Sequence, residues 1–346
     1  MADIGNDAGP FAPPAIPPPP PAPELRLTET PAEGFPDIEM DDPDALYADL
    51  APERANALRN GNTEPVLLFQ VYNVGFPTPQ QVQEVTEAAT TVINSLRPEP
   101  GLLILPPEPP RAPDGTRVGS PITWTALGVS RATISDAIRL RVMSTTRITL
   151  IFYSQTPAIP RYLFTLTGFV HNRDNSILNA VAAVFGGPVI FPATLQLTQG
   201  NPAFRDVSPE QAAWRVIRTL EVRVVRLQNG NILAAIYCDP PTTSVARWRA
   251  WRNLAFTQMY PSNFNATGFA RRRALCAGCH GADHPTHLCP FQDVPGWNAP
   301  PPGTTMSTTN VGNHPAFNHG TAYQPRGGGP SRGFRGRGRG NGRGWH

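Results

Sequence analysis

The chain contains no lysine: all 29 of its basic side chains are arginine. Every positive charge is therefore a planar guanidinium, which grips phosphate bidentately and stacks on bases as an ammonium cannot. Nucleic-acid contact suits that choice, and codon usage in a GC-rich genome explains it equally well. Charge is also scarce, at 16% of residues against the usual ~25%. No apolar run reaches the ~18 residues of a membrane helix. Asp3 and a series of prolines stand where a secretory signal carries basic and apolar residues. The expectation is a soluble intracellular protein, cytoplasmic or nuclear. Only 4 cysteines occur, three of them close together, which argues against a secreted disulfide framework and for a metal site. Acidic residues are scattered singly through the body and no Ser or Cys nucleophile has an identifiable context. Cys238 reads as a small core residue, and no enzyme is expected.

Proline is abundant instead, 42 of 346 residues, roughly 12% against an average near 5%. Length allows about two domains, with Pro-rich segments between ordered ones. Charge is segregated: residues 1–60 hold 12 acids and 3 Arg, a net −9, whereas residues 61–346 hold 14 acids and 26 Arg, a net +12. Such asymmetry points to a nucleic-acid partner for the basic part. Residues 1–62, with the proline run Pro17 to Pro21 and an acidic stretch from Glu33 to Glu53, are expected to be disordered, because they offer too little apolar surface to offset their ordering entropy. The run favours polyproline II, as a spacer or a ligand for a proline-binding module. Leu46, Tyr47 and Leu50 could form a short binding helix.

Order is expected from Pro65. Val66–Val74 reads as a strand. Thr78 caps and Pro79 opens a helix to Leu96, with Val82, Val85, Ala89 and Val92 on one face. Gly101–Pro107 and Ile122–Val129 read as strands, Ala132–Met143 as a helix capped by Ser130, and Arg147–Ser154 as a further strand. A second block follows: strand Tyr162–Val170, a helix through Phe185, an extended stretch Val189–Leu197 and a short helix in PEQAAWRVIRT. Strands Leu220–Leu227 and Asn231–Cys238 flank Asn229-Gly230, a strong hairpin signal. Helix Ser244–Phe256 and an edge strand in TQMY complete it. The fold class is thus α+β, with two tandem βαββαβ blocks over residues 63–156 and 157–264.

That order resembles the RNA-recognition motif, a ferredoxin-like sandwich. Phe69-Gln70-Val71-Tyr72-Asn73-Val74 and Phe164-Thr165-Leu166-Thr167-Gly168-Phe169 resemble its first-strand consensus. The third-strand consensus, with its aromatic rings, is replaced by Asn231-Ile232-Leu233-Ala234-Ala235-Ile236-Tyr237-Cys238. A sheet without those rings lacks the usual base-stacking platform, which leaves protein-binding or structural roles open for the blocks.

Residues 270–298 carry the most specific pattern: Cys276, Cys279, His284 and Cys289, spaced Cys-x2-Cys-x4-His-x4-Cys. Three thiolates and one imidazole complete a closed tetrahedral set for one structural Zn2+, with no position left for catalysis. His280 and His287 lie too close to neighbouring cysteines to serve. The spacing resembles the CCHC zinc knuckle of retroviral nucleocapsid and retrotransposon Gag-like proteins. Ala277 and Asp283 depart from that family's aromatic and glycine. Leu288, Phe291 or Trp297 either supply the missing base-binding surface or pack the segment against its neighbours.

Arginines surround the knuckle. Arg249 and Arg252 lie beside Trp248 and Trp251 on one helix, and Arg271, Arg272 and Arg273 precede Cys276. The tryptophans are expected in the core and the arginines on phosphates. Residues 299–346 are expected to be disordered, and the last 21 hold 6 Arg and 9 Gly: Arg326, Arg332, Arg335, Arg337, Arg339 and Arg343, with Phe334 among them. That composition suits stacking and phosphate contact on single-stranded RNA. Together with the wording around the knuckle (His284–Phe291, Pro295–Trp297), the organisation resembles the Gag-like, first-open-reading-frame nucleic-acid-binding proteins of fungal retrotransposons. The resemblance implies packaging or chaperoning of an RNA by many copies, with self-association and with neither membrane nor small-molecule substrate. The alternative is a host RNA-processing adaptor that recruits proteins through its blocks and proline run.

Overall fold

A computed structural model describes residues 26–60, 64–271, 273 and 275–300. It contains two antiparallel five-stranded sheets. The first is formed by β1 (Leu67–Val71), β2 (Leu103–Leu105), β3 (Trp124–Leu127), β4 (Val142–Ser144) and β5 (Thr149–Tyr153), in the order β2-β3-β1-β5-β4. Helix α1 (Pro52–Arg59) precedes it; α2 (Pro79–Leu96) and α3 (Arg131–Leu140) cover one face. Thr78 and Gln81 close a reciprocal capping box that fixes the start of α2. Leu67, Phe69 and Val71 then meet Val85, Ala89, Val92 and Ile93 in the core. All five residues of β1 are buried, the polar Gln70 among them, so its other face is covered as well, which accounts for apolar residues on both of its faces.

The cover is the acidic segment, and here the expectation of disorder fails for residues 26–60. A 3-10 turn over Pro43–Tyr47 and helix α1 place Leu46, Tyr47, Leu50, Ala55 and Leu58 in one buried cluster with Val66 and Leu68. Each leucine buried in this way contributes ~1.5–3 kcal/mol, supplied by a surface that composition alone does not reveal. Residues 1–25 lie outside the described residues, and so do 61–63 and 301–346.

The second sheet comprises β6 (Tyr162–Thr167), β7 (Glu221–Arg226), β8 (Ile232–Tyr237), β9 (Met259–Pro261) and β10 (Thr267–Arg271), ordered β7-β8-β6-β10-β9. Position for position, this repeats the first sheet. Helices α4 (Asp174–Phe185), α5 (Ile190–Gln199), α6 (Pro209–Ile217) and α7 (Val245–Phe256) pack on its core face. Among the described residues no single helix is long and apolar enough to cross a membrane; the bent pair α4–α5 passes such a test only jointly, and its apolar side chains lie in the core.

Two expected boundaries, one element type and one turn differ. The stretch Val189–Leu197 is helical, not extended: Ile190, Thr194, Leu197 and Thr198 share a buried face, and Pro192 falls in the first turn, where its missing N–H costs nothing. Helix α3 stops at Leu140 because Arg141 turns to φ 62, its guanidinium held by the carbonyls of Phe35 and Pro36 and by Asp37 at 2.7 Å. The second block runs past residue 264 to Arg271, since β10 inserts between β6 and β9. Gly268 permits this, for a Cβ there would collide with the Phe169 ring. In the β7–β8 hairpin, of Asn229 and Gly230 only the glycine takes positive φ, +83.

Candidate metal centre and its arginine surroundings

The Cys-x2-Cys turn is built by backbone bonds: His280 N–H donates to the Cys276 carbonyl and Cys276 N–H to that of Gly281, both at 2.9 Å. His280 takes φ 61 to close it. The N–H groups of Gly278 and Gly281 donate to the sulfurs of Cys276 and Cys279 at 3.3 and 3.4 Å. A 3-10 turn over Thr286–Leu288 then returns Cys289. The outcome is that the Sγ atoms of Cys276, Cys279 and Cys289 and a ring nitrogen of His284 all lie within 4.8 Å of one another. This set could hold one metal ion.

The donor set fits a tetrahedral ion. Bonds of ~2.3 Å to sulfur and ~2.0–2.1 Å to nitrogen separate S and N by roughly 3.6 Å, and Cys279 Sγ lies 3.4 Å from His284 Nε2. The other ring nitrogen, Nδ1, donates to Asp283 Oδ1 at 2.6 Å, which leaves Nε2 as the ligand atom. Burial opposes a cation on this ring, but Asp283 and the thiols of Cys276 and Cys289 push His284 up to about 11. Hydrogen bonding with Cys276 and Cys289, together with burial, pushes Cys279 up, while the thiols of Cys276 and Cys279 push Cys289 down. A dication at the centre would resolve that competition by letting all three sulfurs ionise. His280 stays outside the set. Burial pushes it down to about 4, and its Nε2 lies 3.2 Å from the Val74 carbonyl.

One tyrosine from each sheet supports the centre. Tyr72, directly after β1, directs its hydroxyl to Cys289 Sγ at 3.5 Å and accepts from Gln292 Nε2 at 2.9 Å. Tyr237 at the end of β8 donates to Asp283 Oδ2 at 2.6 Å. The segment is also hydrogen-bonded from Asn73 N–H to the Gly278 carbonyl and from Ala282 N–H to that of Glu39, both at 2.8 Å. Phe291 is fully buried and meets Tyr72 and Trp297 at ring distances of 6.0 and 5.0 Å. The two alternatives for these rings are thereby resolved: Phe291 and Trp297 pack the segment onto the first sheet. Only Leu288, 37% exposed, remains at the surface. Sequence reasoning missed Tyr72, Asp283 and Tyr237. Asp283, read as a departure from the family glycine, is the group that orients His284.

The arginines are divided. Arg249 forks onto Asp42, with Nε 2.7 Å from Oδ2, and onto Asp44 at 2.6 Å. Arg252 donates to the Asp41 carbonyl at 2.6 Å and to that of Leu163, and Arg273 forms an ion pair with Asp41. Expected on phosphates, these three face the chain's own acidic segment. Arg271 is exposed at the end of β10, opposite Thr165. Trp248 and Trp251 are buried in the core of the second block. Arg272, and Arg326, Arg332, Phe334, Arg335, Arg337, Arg339 and Arg343 of the tail, lie outside the described residues.

No protein-family model, curated protein or solved structure matches the chain.

Proposed function

We infer that this protein binds single-stranded RNA in a zinc-dependent manner, as a Gag-like packaging or chaperoning protein and not as an enzyme. The observation that carries the reading is the closed Cys3His cluster, whose spacing is that of a zinc knuckle. Three thiolates and one imidazole suit Zn2+. Cys276, Cys279, His284 and Cys289 would hold it, and its role there is structural, since four protein donors leave no position for a substrate. The all-arginine basic complement and the Arg-Gly tail support an RNA partner. The strand order β2-β3-β1-β5, repeated as β7-β8-β6-β10, supports a ferredoxin-like reading of both blocks, each with one added edge strand.

In this reading the zinc does not hold a freely swinging knuckle. Hydrogen-bonded through Tyr72 and Tyr237, the centre ties both sheets and the acidic segment together, and RNA contact falls to the remaining arginines and the tail. The covered outer face of β1 favours one element of the adaptor alternative, namely that the first block serves structure or protein contact instead of base stacking.

The test is a salt titration of single-stranded RNA binding by the full-length protein, with and without a zinc chelator. Tight, salt-steep binding that weakens on chelation supports the reading; absence of binding in both conditions overturns it. RNA-dependent multimers separate the Gag-like form from a monomeric adaptor.

A further inference from the structure

We propose that Arg249, Arg252 and Arg273 form a phosphate-binding surface whose resident occupant is the chain's own acidic segment, and that single-stranded RNA takes the surface over by displacing Asp41, Asp42 and Asp44. The proposal rests on the RNA-binding reading above and adds how access to part of the site is controlled.

The geometry is that of a ligand on a grip. Arg249 and Arg252 come from α7 and Arg273 from the run before Cys276, and Arg252 and Arg273 both reach Asp41. Against them stand three carboxylates within four residues, Asp41, Asp42 and Asp44, where extended backbone leads into a 3-10 turn. Asp42 engages Arg249 with both oxygens, and Asp44 takes a third bond to the same guanidinium. Bidentate pairing with an oxyanion is what the arginine fork provides for a phosphate equally well. Despite its partners Arg249 keeps 37% of its side chain exposed, so an incoming polyanion can reach it without opening a core. The Arg249–Asp44 pair leaves 37% and 45% of its two side chains exposed, and exposed ion pairs of this kind exchange at little cost.

The segment is also held in a way that permits local release. Its apolar anchors, Leu46, Tyr47, Leu50 and Leu58, pack on the first sheet, whereas residues 41–44 reach the second block through polar contacts. Lifting the carboxylates off α7 therefore does not require unpacking the anchors. Competition of this kind also gives the segregated charge of the sequence, −9 in the head and +12 in the body, a place where the two halves meet.

The test uses the full-length zinc-loaded protein and a fluorescent oligouridylate, with binding measured at several salt concentrations. Asp42→Asn with Asp44→Asn removes the competing charge, and asparagine retains the capping bond that Asp42 makes to the Asp44 N–H. The double variant should bind roughly threefold to tenfold more tightly, the range expected for two surface ion pairs. Its salt slope should steepen by ~0.7 for each freed guanidinium. Arg249→Ala should cancel the gain in that background. Glu53→Gln with Glu210→Gln makes the same change in net charge elsewhere and should tighten binding less. Equal affinity of parent and Asp42/Asp44 variant, or equal gains in both double variants, overturns the proposal while leaving RNA binding intact. Failure of every variant to bind overturns the RNA reading as well.

Discussion

Removing the metal should dissolve one part of the molecule and spare two others. Structural zinc in a Cys3His site supplies ~10–16 kcal/mol at neutral pH. The apolar side chains that the metal segment itself buries, Phe291 and Val294, contribute ~1.5–3 kcal/mol each, well under the metal term. Without zinc, three buried thiols and an imidazole would crowd together with unresolved protonation, and residues 275–300 should leave the first sheet. The N-terminal segment should loosen with them, because Thr28 donates to the Gly296 carbonyl at 3.0 Å, accepts from Asn298 at 2.9 Å, and Phe35 packs edge-on to Trp297 at 6.3 Å. The two main cores contain no residue of the metal segment and should persist. The assay is limited proteolysis with mass mapping, beside far-UV circular dichroism and metal analysis, for the chelated protein and for Cys279→Ser. Cleavage should accelerate between residues 275 and 300 and around 26–40, with most of the circular dichroism kept. Unchanged metal content in Cys279→Ser would sink the ligand assignment. Metal-free protein cut no faster than the loaded form, or cooperative loss of both cores, would refute the argument that zinc stabilises the junction alone.

Asp283→Ala should weaken zinc affinity by about 10- to 100-fold, the usual cost of losing a carboxylate that orients a ligating histidine, while Tyr237→Phe should have a smaller effect; competition with a chromophoric chelator measures both. Leu46→Ala should cost ~2–5 kcal/mol, read as faster amide exchange over residues 43–59 with the β1 amides little altered. Burial opposes ionisation of Asp42, but the hydrogen bonds from Arg249 and the Asp44 N–H hold its carboxyl below its ordinary 3.8. Its contribution to docking is fully present above pH 3.8 and lost as pH falls through the lower folded value, so proteolytic release of residues 41–44 should begin only below that pH. Deleting residues 326–346 should lower the RNA salt slope by as much as ~4, at ~0.7 for each of six arginines; an unaltered slope would make the tail a bystander.

How much of this was legible beforehand follows from how local each cause is. The Thr78 cap of α2, the Ser130 cap of α3, the Asn-Gly hairpin and the metal spacing are written within a few residues, and the structure contains the corresponding elements. Strand β10 was not legible, because TGFAR carries no apolar alternation and owes its place to Gly268 passing the Phe169 ring. Helix α5 hid behind β-branched and aromatic residues, although its buried face has helical spacing. The acidic segment misled for a different reason. Its composition cannot order it alone, and the surface that orders it belongs to β1, whose apolar residues on both faces, interrupted by Gln70, were the available sign that both faces of that strand are buried. Tyr72 and Tyr237 lie some 165 residues apart, and nothing but the folded sheets brings them to one centre.

The two sheets share a strand order yet differ in what covers them, and the difference bears on where a polyanion could bind. The outer face of the first is closed by Leu46, Leu50 and Leu58 at one end and by Phe291 and Trp297 at the other. On the second, the metal segment reaches Tyr162, Ala235 and Tyr237, while Met259 and Phe269, paired across β9 and β10, stay 64% and 48% exposed. The acidic segment runs between these surfaces, its apolar residues on the first block, Asp42 and Asp44 on Arg249 of α7, and Asp41 on Arg273. A contact that pairs Arg249 and Arg273 with carboxylates and ties Arg252 to backbone carbonyls also lowers the charge that a partner meets. For RNA to gain those arginines it must supply phosphates in place of Asp41, Asp42 and Asp44. The exchange leaves the number of charge pairs nearly constant, so its free energy is small and its direction is set by ionic strength and by how many further phosphates the exposed arginines engage at once. A short oligonucleotide should therefore leave the segment docked, and a long one should displace it.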